Sequence, residues 1–429
     1  MTPRTRKHIR YALVITAMTL LAQYFMIMPV FRGRLQTYLG IGDNRFGLLF
    51  SLLSVVGIPG VLFGGVLIDR IGARRGIRLG LLGIGSAMLV LACAGTHYAL
   101  FALATALAGL FQKPLVVAIN IYLGKLFPRH QRRILSLNLA STSVGGMLYP
   151  LAAEGLLLLS LHRNTVDFAH VLHVPFLVAG LLLLAGSLVY RKRRVRQSPA
   201  ATRAPASVCP SWSWRDLMLP RQSWLLALLI AMHGAVDGTL HIWMARFLES
   251  ESFAGTPLAP GIVLSGFAVA YILSRILLAT LPDHIGRHLF LVIPGLAGGS
   301  VMILAILSRS YMLTAAGYVL GAFLWSAEFP AFVSTALRRE SKRFGAIMAV
   351  SGAVSGLAMF LLLNGVGMLT ETLGEASMWL IMLIPACGFV LVGLGGACWV
   401  RKYGDQNSQH ATIGIPQPSI PSKPRRPRP

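Results

Sequence analysis

Charge is the scarcest ingredient of this sequence. Only 12% of its 429 residues are Asp, Glu, Lys or Arg, while hydrophobic residues make up 55%. Water-soluble domains carry about twice that charge fraction, so the composition places the chain in a bilayer. Acidic residues are rarer still, 14 against 39 basic ones, for a formal net charge of +25. Cysteine is limited to Cys93, Cys209, Cys387 and Cys398, at spacings that fit neither a metal site nor a redox motif. They read as small apolar residues. No Gly-rich loop ending in Lys-Ser/Thr and no nucleophile–base motif occurs, which speaks against an ATP-driven machine and against an enzyme. Nothing calls for a cofactor or a bound metal. The basic stretch Met1–Arg10 lacks a following small-residue cleavage site, so the first apolar run reads as a retained helix.

What is present is a series of apolar runs. A helix of about 20 such residues crosses a bilayer, and helices are required because an open sheet edge cannot be satisfied in lipid. The runs place spans near 10–31, 46–68, 77–95, 98–124, 134–160, 171–190, 222–246, 261–282, 288–308, 311–336, 344–367 and 377–400. The expected fold is therefore all-α and membrane-integral, with twelve transmembrane helices. With the N-terminus placed inside, the inner connections hold 31 Lys and Arg residues and the outer ones 6. That asymmetry obeys the positive-inside rule. It puts both termini in the cytoplasm and explains the basic composition without nucleic acid as a partner.

The spans divide into a first bundle over 1–190, a basic linker over 191–220, a second bundle over 221–400 and a tail over 401–429. The linker opens Arg191-Lys192-Arg193-Arg194-Val195-Arg196 and continues to Trp212 and Trp214, residues suited to anionic headgroups and the lipid interface. The tail is polar and proline-rich, a composition expected to stay disordered.

Between the second and third spans lies Gly64-Gly65-Val66-Leu67-Ile68-Asp69-Arg70-Ile71-Gly72-Ala73-Arg74-Arg75-Gly76. One carboxylate, several arginines and turn-permitting glycines form a short basic hairpin. A degraded copy, Ala279-Thr280-Leu281-Pro282-Asp283-His284-Ile285-Gly286-Arg287-His288, stands half a chain later. Pro114 matches Pro330, and Ser141-x-x-Val144-Gly145-Gly146 matches Ser351-x-x-Val354-Ser355-Gly356, at nearly the same offset. These landmarks indicate a parallel duplication of six helices.

The pattern G-x-L-x-D-R-x-G-x-R-R resembles the signature loop of the major facilitator superfamily of secondary transporters. The resemblance covers residues 10–400. It implies two six-helix bundles, with the first, fourth, seventh and tenth helices lining a central cavity. It also implies that the loop residues Gly65, Asp69, Arg70, Gly72 and Arg74 help close the cytoplasmic side, with Asp283, Gly286 and Arg287 as their second copy. His284 and Pro282 depart from the pattern there. The Gly-Pro…Gly-Gly motif of drug exporters is only partly kept, as Gly145-Gly146-Met147-Leu148-Tyr149-Pro150.

Ionisable side chains at mid-membrane are functional candidates by default. Lys113 lies 12 residues before Lys125, roughly 18 Å from the inner end at helical rise. Glu328 and Asp237 fall equally near the middle of their spans. His233, Asp237 and His241 recur every fourth residue and share a face of the seventh helix. That pattern suits a proton relay, a zinc site or ordinary interhelical hydrogen bonds. Asn120 lies seven residues after Lys113, Gln112 is adjacent to it, and Gln23 and Tyr24 occupy the first helix; all suit a polar solute. Asn364, Glu154 and Arg275 are further candidates, Glu154 for proton uptake from outside.

The reading is a monomeric transporter of the bacterial inner membrane that moves a small molecule by alternating access, coupled to protons. An organic anion or polar metabolite is favoured, with Lys113 as counter-charge. The alternatives are proton-driven export of amphiphilic or cationic compounds and a non-transporting receptor on the same fold.

Overall fold

The computed structural model describes residues 3–127, 138, 143–156, 158, 168–190, 218–250, 253, 259–280, 289–340 and 343–403. These residues are helical, with no strand among them. In chain order the helices are α1 (Pro3–Ala22), α2 (Arg32–Leu39), α3 (Asp43–Val55), α4 (Gly57–Ile71), α5 (Ala73–Ala92), α6 (Tyr98–Leu126), α7 (143–156), α8 (Phe168–Val189), α9 (Arg221–Leu248), α10 (Pro260–Thr280), α11 (Ile293–Leu307), α12 (Tyr311–Trp325), α13 (Glu328–Arg339), α14 (Phe344–Leu373) and α15 (Met378–Tyr403).

Among the described residues nine spans are long and apolar enough to cross a membrane, and Ile9–Ala22 and Ile293–Leu307 are shorter apolar helices. With α7 they make the twelve transmembrane helices, in two six-helix bundles. The expected spans are met within a few residues, apart from breaks that proline explains. The second span is divided between α3 and α4 at Val56, and the tenth between α12 and α13 at Ser326 and Ala327. Pro59 and Pro330 each remove the N–H that would bond four residues back, at Val55 and Ser326. The first span ends earlier than expected, at Ala22; a 3₁₀ turn over Tyr24–Ile27 and the short α2 follow, with Pro29 between them.

Because the helices alternate in direction, α2 lies at the same end of the molecule as the start of α3, the end of α9, the end of α14 and the start of α15. The first bundle packs through α5 against α6 and α8, and the second through α11 against α12 and α15. The two halves meet where α3 and α4 lie along α14, and where α7 meets α10. Contact along α14 is much more extensive with α3, toward the α2 end, than with α4. Close approach there depends on small residues: a β-carbon at Gly47 would stand 2.7 Å from the Leu363 carbonyl oxygen.

Candidate functional site

The mid-membrane charges of the second half are built around α9. His233, Asp237 and His241 share a face and between them reach α13, α10 and α12. His233 Nδ1 lies 2.8 Å from Glu328 Oε2, on the first residue of α13. Both side chains are sealed, at 3% and 0% exposure, and His233 packs against the rings of Phe329 and Phe389. Asp237 Oδ1 accepts from the Tyr271 hydroxyl of α10 at 2.6 Å and from Trp325 Nε1 of α12 at 3.1 Å. His241 Nδ1 lies 2.9 Å from the Tyr318 hydroxyl. Phe267 stacks on both Tyr271 and Tyr318, with centroids 4.5 and 4.7 Å away, and Trp325 stacks on Phe389 at 4.1 Å. Aromatic bodies thus fill the volume while their polar tips meet the ionisable groups. Asp237 and His241 stay half-buried. Among the described residues, no three His, Cys, Asp or Glu side chains come close enough to hold a metal ion.

In the first half the Lys113 side chain is exposed. Its stem lies against Gly57 of α4, whose β-carbon would be 3.6 Å from Lys113 Cγ. The next residue, Ile58, packs on Gly356 of α14, and the neighbouring Ser355 hydroxyl faces Gly234 of α9. This chain of contacts puts Lys113 at the depth of His233, in the opposite half. Gln112 Nε2 donates to Gln23 Oε1 at 3.5 Å. Both line a small cavity with Ala22, Phe25, Leu53 and Ala108, with room for about one water.

The remaining candidates are more scattered. Tyr24 is buried edge-on against Tyr149 and Phe176, so it belongs to the packing of its bundle. Asn120 is half-buried, and Asn364 bonds the Phe360 carbonyl of its own helix. Arg275 reaches across the halves to Ser143 at 2.9 Å, with its guanidinium 4.9 Å over the Tyr271 ring. Glu154 accepts from the Gly261 amide, again across α7 and α10.

The basic hairpin turns at Gly72, whose φ of +85° favours glycine. Arg70 points to solvent, while Arg74 is half-buried near Tyr11 and bonded to Tyr122. Gly65 and Asp69 lie in α4, but the Asp69 side chain is outside the described residues, as are Asp283, Gly286 and Arg287 of the second copy.

One group was not anticipated. At the α2 end, Arg32 is fully buried, bonded to Asp43 and held over the rings of Phe46 and Trp243 at 5.0 and 4.5 Å. Gln36 also donates to Asp43, at 2.6 Å. From the second half Arg246 approaches the other Asp43 oxygen at 3.7 Å and pairs with Glu375. Glu371 accepts from the Asn44 amide at 3.3 Å. Counted as outer-loop charges, Arg32 and Arg246 gave no hint of this. The usable signal was Asp43, one of few acids, standing 11 residues after Arg32.

The family model described as Major Facilitator Superfamily matches residues 13–259. Among solved structures, FucP, a transporter of that superfamily in the outward conformation, aligns with TM-score 0.63 and 16% identity over 91% of this chain and 98% of its own. A bacterial homologue of the human lysosomal transporter Spinster, inward-facing and occupied, aligns with TM-score 0.67 and 15% identity over 94% and 98%. Its unoccupied inward-facing form gives 0.68 and 15% over the same shares. No curated protein sequence matches significantly.

Proposed function

The chain belongs to the major facilitator superfamily, a multi-pass secondary transporter by fold and family, and from this premise we propose that it moves a small organic anion or polar metabolite by proton-coupled alternating access. The observation that carries the coupling is the buried His233–Glu328 pair. A carboxylate and an imidazole sealed inside a membrane bundle are expensive. Imidazole and carboxylate are side chains that can bind and release a proton. Asp237, half-buried one turn along the same face and held by two donors, is the neighbouring station that water can reach.

Lys113 supports an anionic substrate. It faces the cavity from the first half with no carboxylate within salt-bridge distance among the described residues. Glu328, the acid that could have neutralised it, is taken by His233. A cation so placed can offer its three donors to a carboxylate or phosphate. Export of cationic amphiphiles is the second reading, favoured by the aromatic wall around Asp237. The protein works as a monomer in the bacterial inner membrane with both termini cytoplasmic. Its halves, 1–190 and 221–400, rock about the mid-membrane site, joined by the basic segment 191–220 and followed by the tail 401–429. The α2 end then faces outward, and the hairpin at Gly72 closes the inner side.

The test is uptake by right-side-out vesicles across a panel of labelled anions, cations and neutral metabolites, with and without an uncoupler. Asp237→Asn should abolish uncoupler-sensitive accumulation while sparing counterflow exchange, which needs no net proton movement. Accumulation that ignores the uncoupler, or that survives with His233 and Glu328 both replaced by Gln, would overturn the coupling.

A further inference from the structure

The charged group at the α2 end takes no part in the mid-membrane chemistry, and its composition is peculiar. Arg32 is fully buried, yet only its Nη2 has an acceptor; Nε and Nη1 have none among the described residues. A buried guanidinium with unfilled donors is under-satisfied. The carboxylate of Glu249, which caps α9, lies beside it: Glu249 Oε2 would be 3.7 Å from a β-carbon at Gly33, the residue after Arg32. Arg246 stands one turn back on α9, and α2 packs against α9 across the two halves.

We infer that the Arg32–Asp43–Arg246–Glu375 cluster is the latch joining the halves at this end, and that Glu249 is a proton-binding site that controls it. The pair that crosses the halves is Arg246–Asp43, braced within each half by Arg32–Asp43 and Arg246–Glu375. Neutral Glu249 is accommodated beside it at little cost. Ionised Glu249 must give up hydration to stay in the latched form, and it competes with Asp43 for Arg246, one turn back on its own helix.

The surroundings set the sign. Burial pushes the Glu249 carboxyl up to about 7, against the pull of Arg32 and Arg246 and with a small push from Glu154. Solvent still reaches Glu249, so it is a carboxylate ringed by protein rather than sealed from water. The titratable groups around it are Arg32 on α2, Arg246 on its own helix, Glu154 on α7 and Tyr311 at the start of α12. Arg34 acts on Glu154, and Glu251 lies outside the described residues. When the end opens, the same carboxylate is hydrated and returns toward the ordinary glutamate range. A group whose pKa is raised in the latched form favours that form when protonated. The preference is complete below the ordinary range and is lost as pH rises through about 7. Protons arriving at this face therefore close it.

This rests on the transporter reading but is tested without substrate, so its failure would leave the coupling experiment untouched. Cys93, Cys209, Cys387 and Cys398 are replaced by serine, and Ser54→Cys is introduced. Ser54 is buried on α3 behind the latch, beside Gly356 of α14. An impermeant maleimide is applied from the α2 face. Rates are normalised to Thr37→Cys, exposed on α2, which removes the pH dependence of the thiol itself. The parent should label at least about threefold faster at pH 8.5 than at pH 5.5. Glu249→Gln should be slow at every pH, Asp43→Asn fast at every pH, and Glu249→Asp should keep the rise. A flat parent profile overturns the proposal with no variant needed. So does a Glu249→Gln profile that still rises, or an Asp43→Asn rate no faster than the parent.

Discussion

The His233–Glu328 pair can be dissected with a comparison that the protein itself supplies. Glu328 stands two residues before Pro330, and Gln112 two residues before Pro114 in the matching helix of the first half. Glu328 bonds to His233 on the seventh membrane helix, while Gln112 bonds to Gln23 at the end of the first. One half thus makes with two amides the contact that the other makes with two ionisable groups. Replacing His233 by leucine leaves a fully buried carboxylate without its imidazole. That should cost about 3–5 kcal/mol if the carboxylate stays charged, and protonation of Glu328 caps the loss. Glu328→Gln keeps a hydrogen-bonding side chain and should cost about 1 kcal/mol. The double variant His233→Gln with Glu328→Gln copies the first half and should lie within about 1 kcal/mol of the parent.

Unfolding in detergent, followed by tryptophan fluorescence, reads these differences. Trp325 is a local probe, stacked 4.1 Å from the Phe389 ring that also touches His233. The same proteins in vesicles should separate stability from coupling. The double amide should be folded and competent in exchange but unable to accumulate substrate. A His233→Leu protein as stable as the parent, or a double amide that still accumulates substrate in an uncoupler-sensitive way, would refute the reasoning.

Two further outcomes follow from the first half. Lys113→Gln should weaken binding of an anionic substrate by about tenfold or more while leaving the melting temperature unchanged, because no carboxylate depends on it; Lys113→Arg should retain part of the affinity. Equilibrium binding together with detergent melting checks this, and normal anion affinity in Lys113→Gln would favour the export reading. At Gly109, a β-carbon would fall 2.2 Å from the Leu53 carbonyl oxygen. Gly109→Ala should therefore force α3 and α6 apart and lower stability by about 1–3 kcal/mol in the same melting assay.

The twelve helices were legible because apolar runs of spanning length, separated by basic connections, leave few alternatives. What the runs could not show is where a helix breaks inside the membrane. The breaks after Val55 and at Ser326 follow from Pro59 and Pro330, yet Pro114 and Pro175 sit within unbroken helices. Tertiary packing decides between these outcomes. The shared face of His233, Asp237 and His241 was legible from their spacing, but their partners were not. Glu328, Tyr271, Trp325 and Tyr318 lie 34 to 95 residues away in sequence. At the α2 end only the spacing of Asp43 from Arg32 was legible, because Arg246 comes from the other half of the chain. Arg32 and Arg246 looked like two loop charges until the fold brought both to Asp43.

The two halves share a plan and divide the labour. In the first half α4 packs closely on the helix that carries Lys113. Gly57, Gly60 and Gly64 of α4 lie directly against Lys113, Pro114 and the carbonyl of Leu110. The amide pair Gln23–Gln112 carries no charge that a proton could change. Asp237 and Glu328, with His233 and His241, belong to the second half. Binding a proton there alters the cost of burying charge on one side of the cavity only. A substrate anion at Lys113 would add its charge from the other side. Alternating access needs the free energy of the two arrangements to depend on what is bound. On the proposed function, a proton on one half and an anion on the other would provide that dependence through opposite charges, with no contact between their binding residues. The interface that must respond is α3 and α4 against α14, the same contact that joins the depth of Lys113 to the depth of His233.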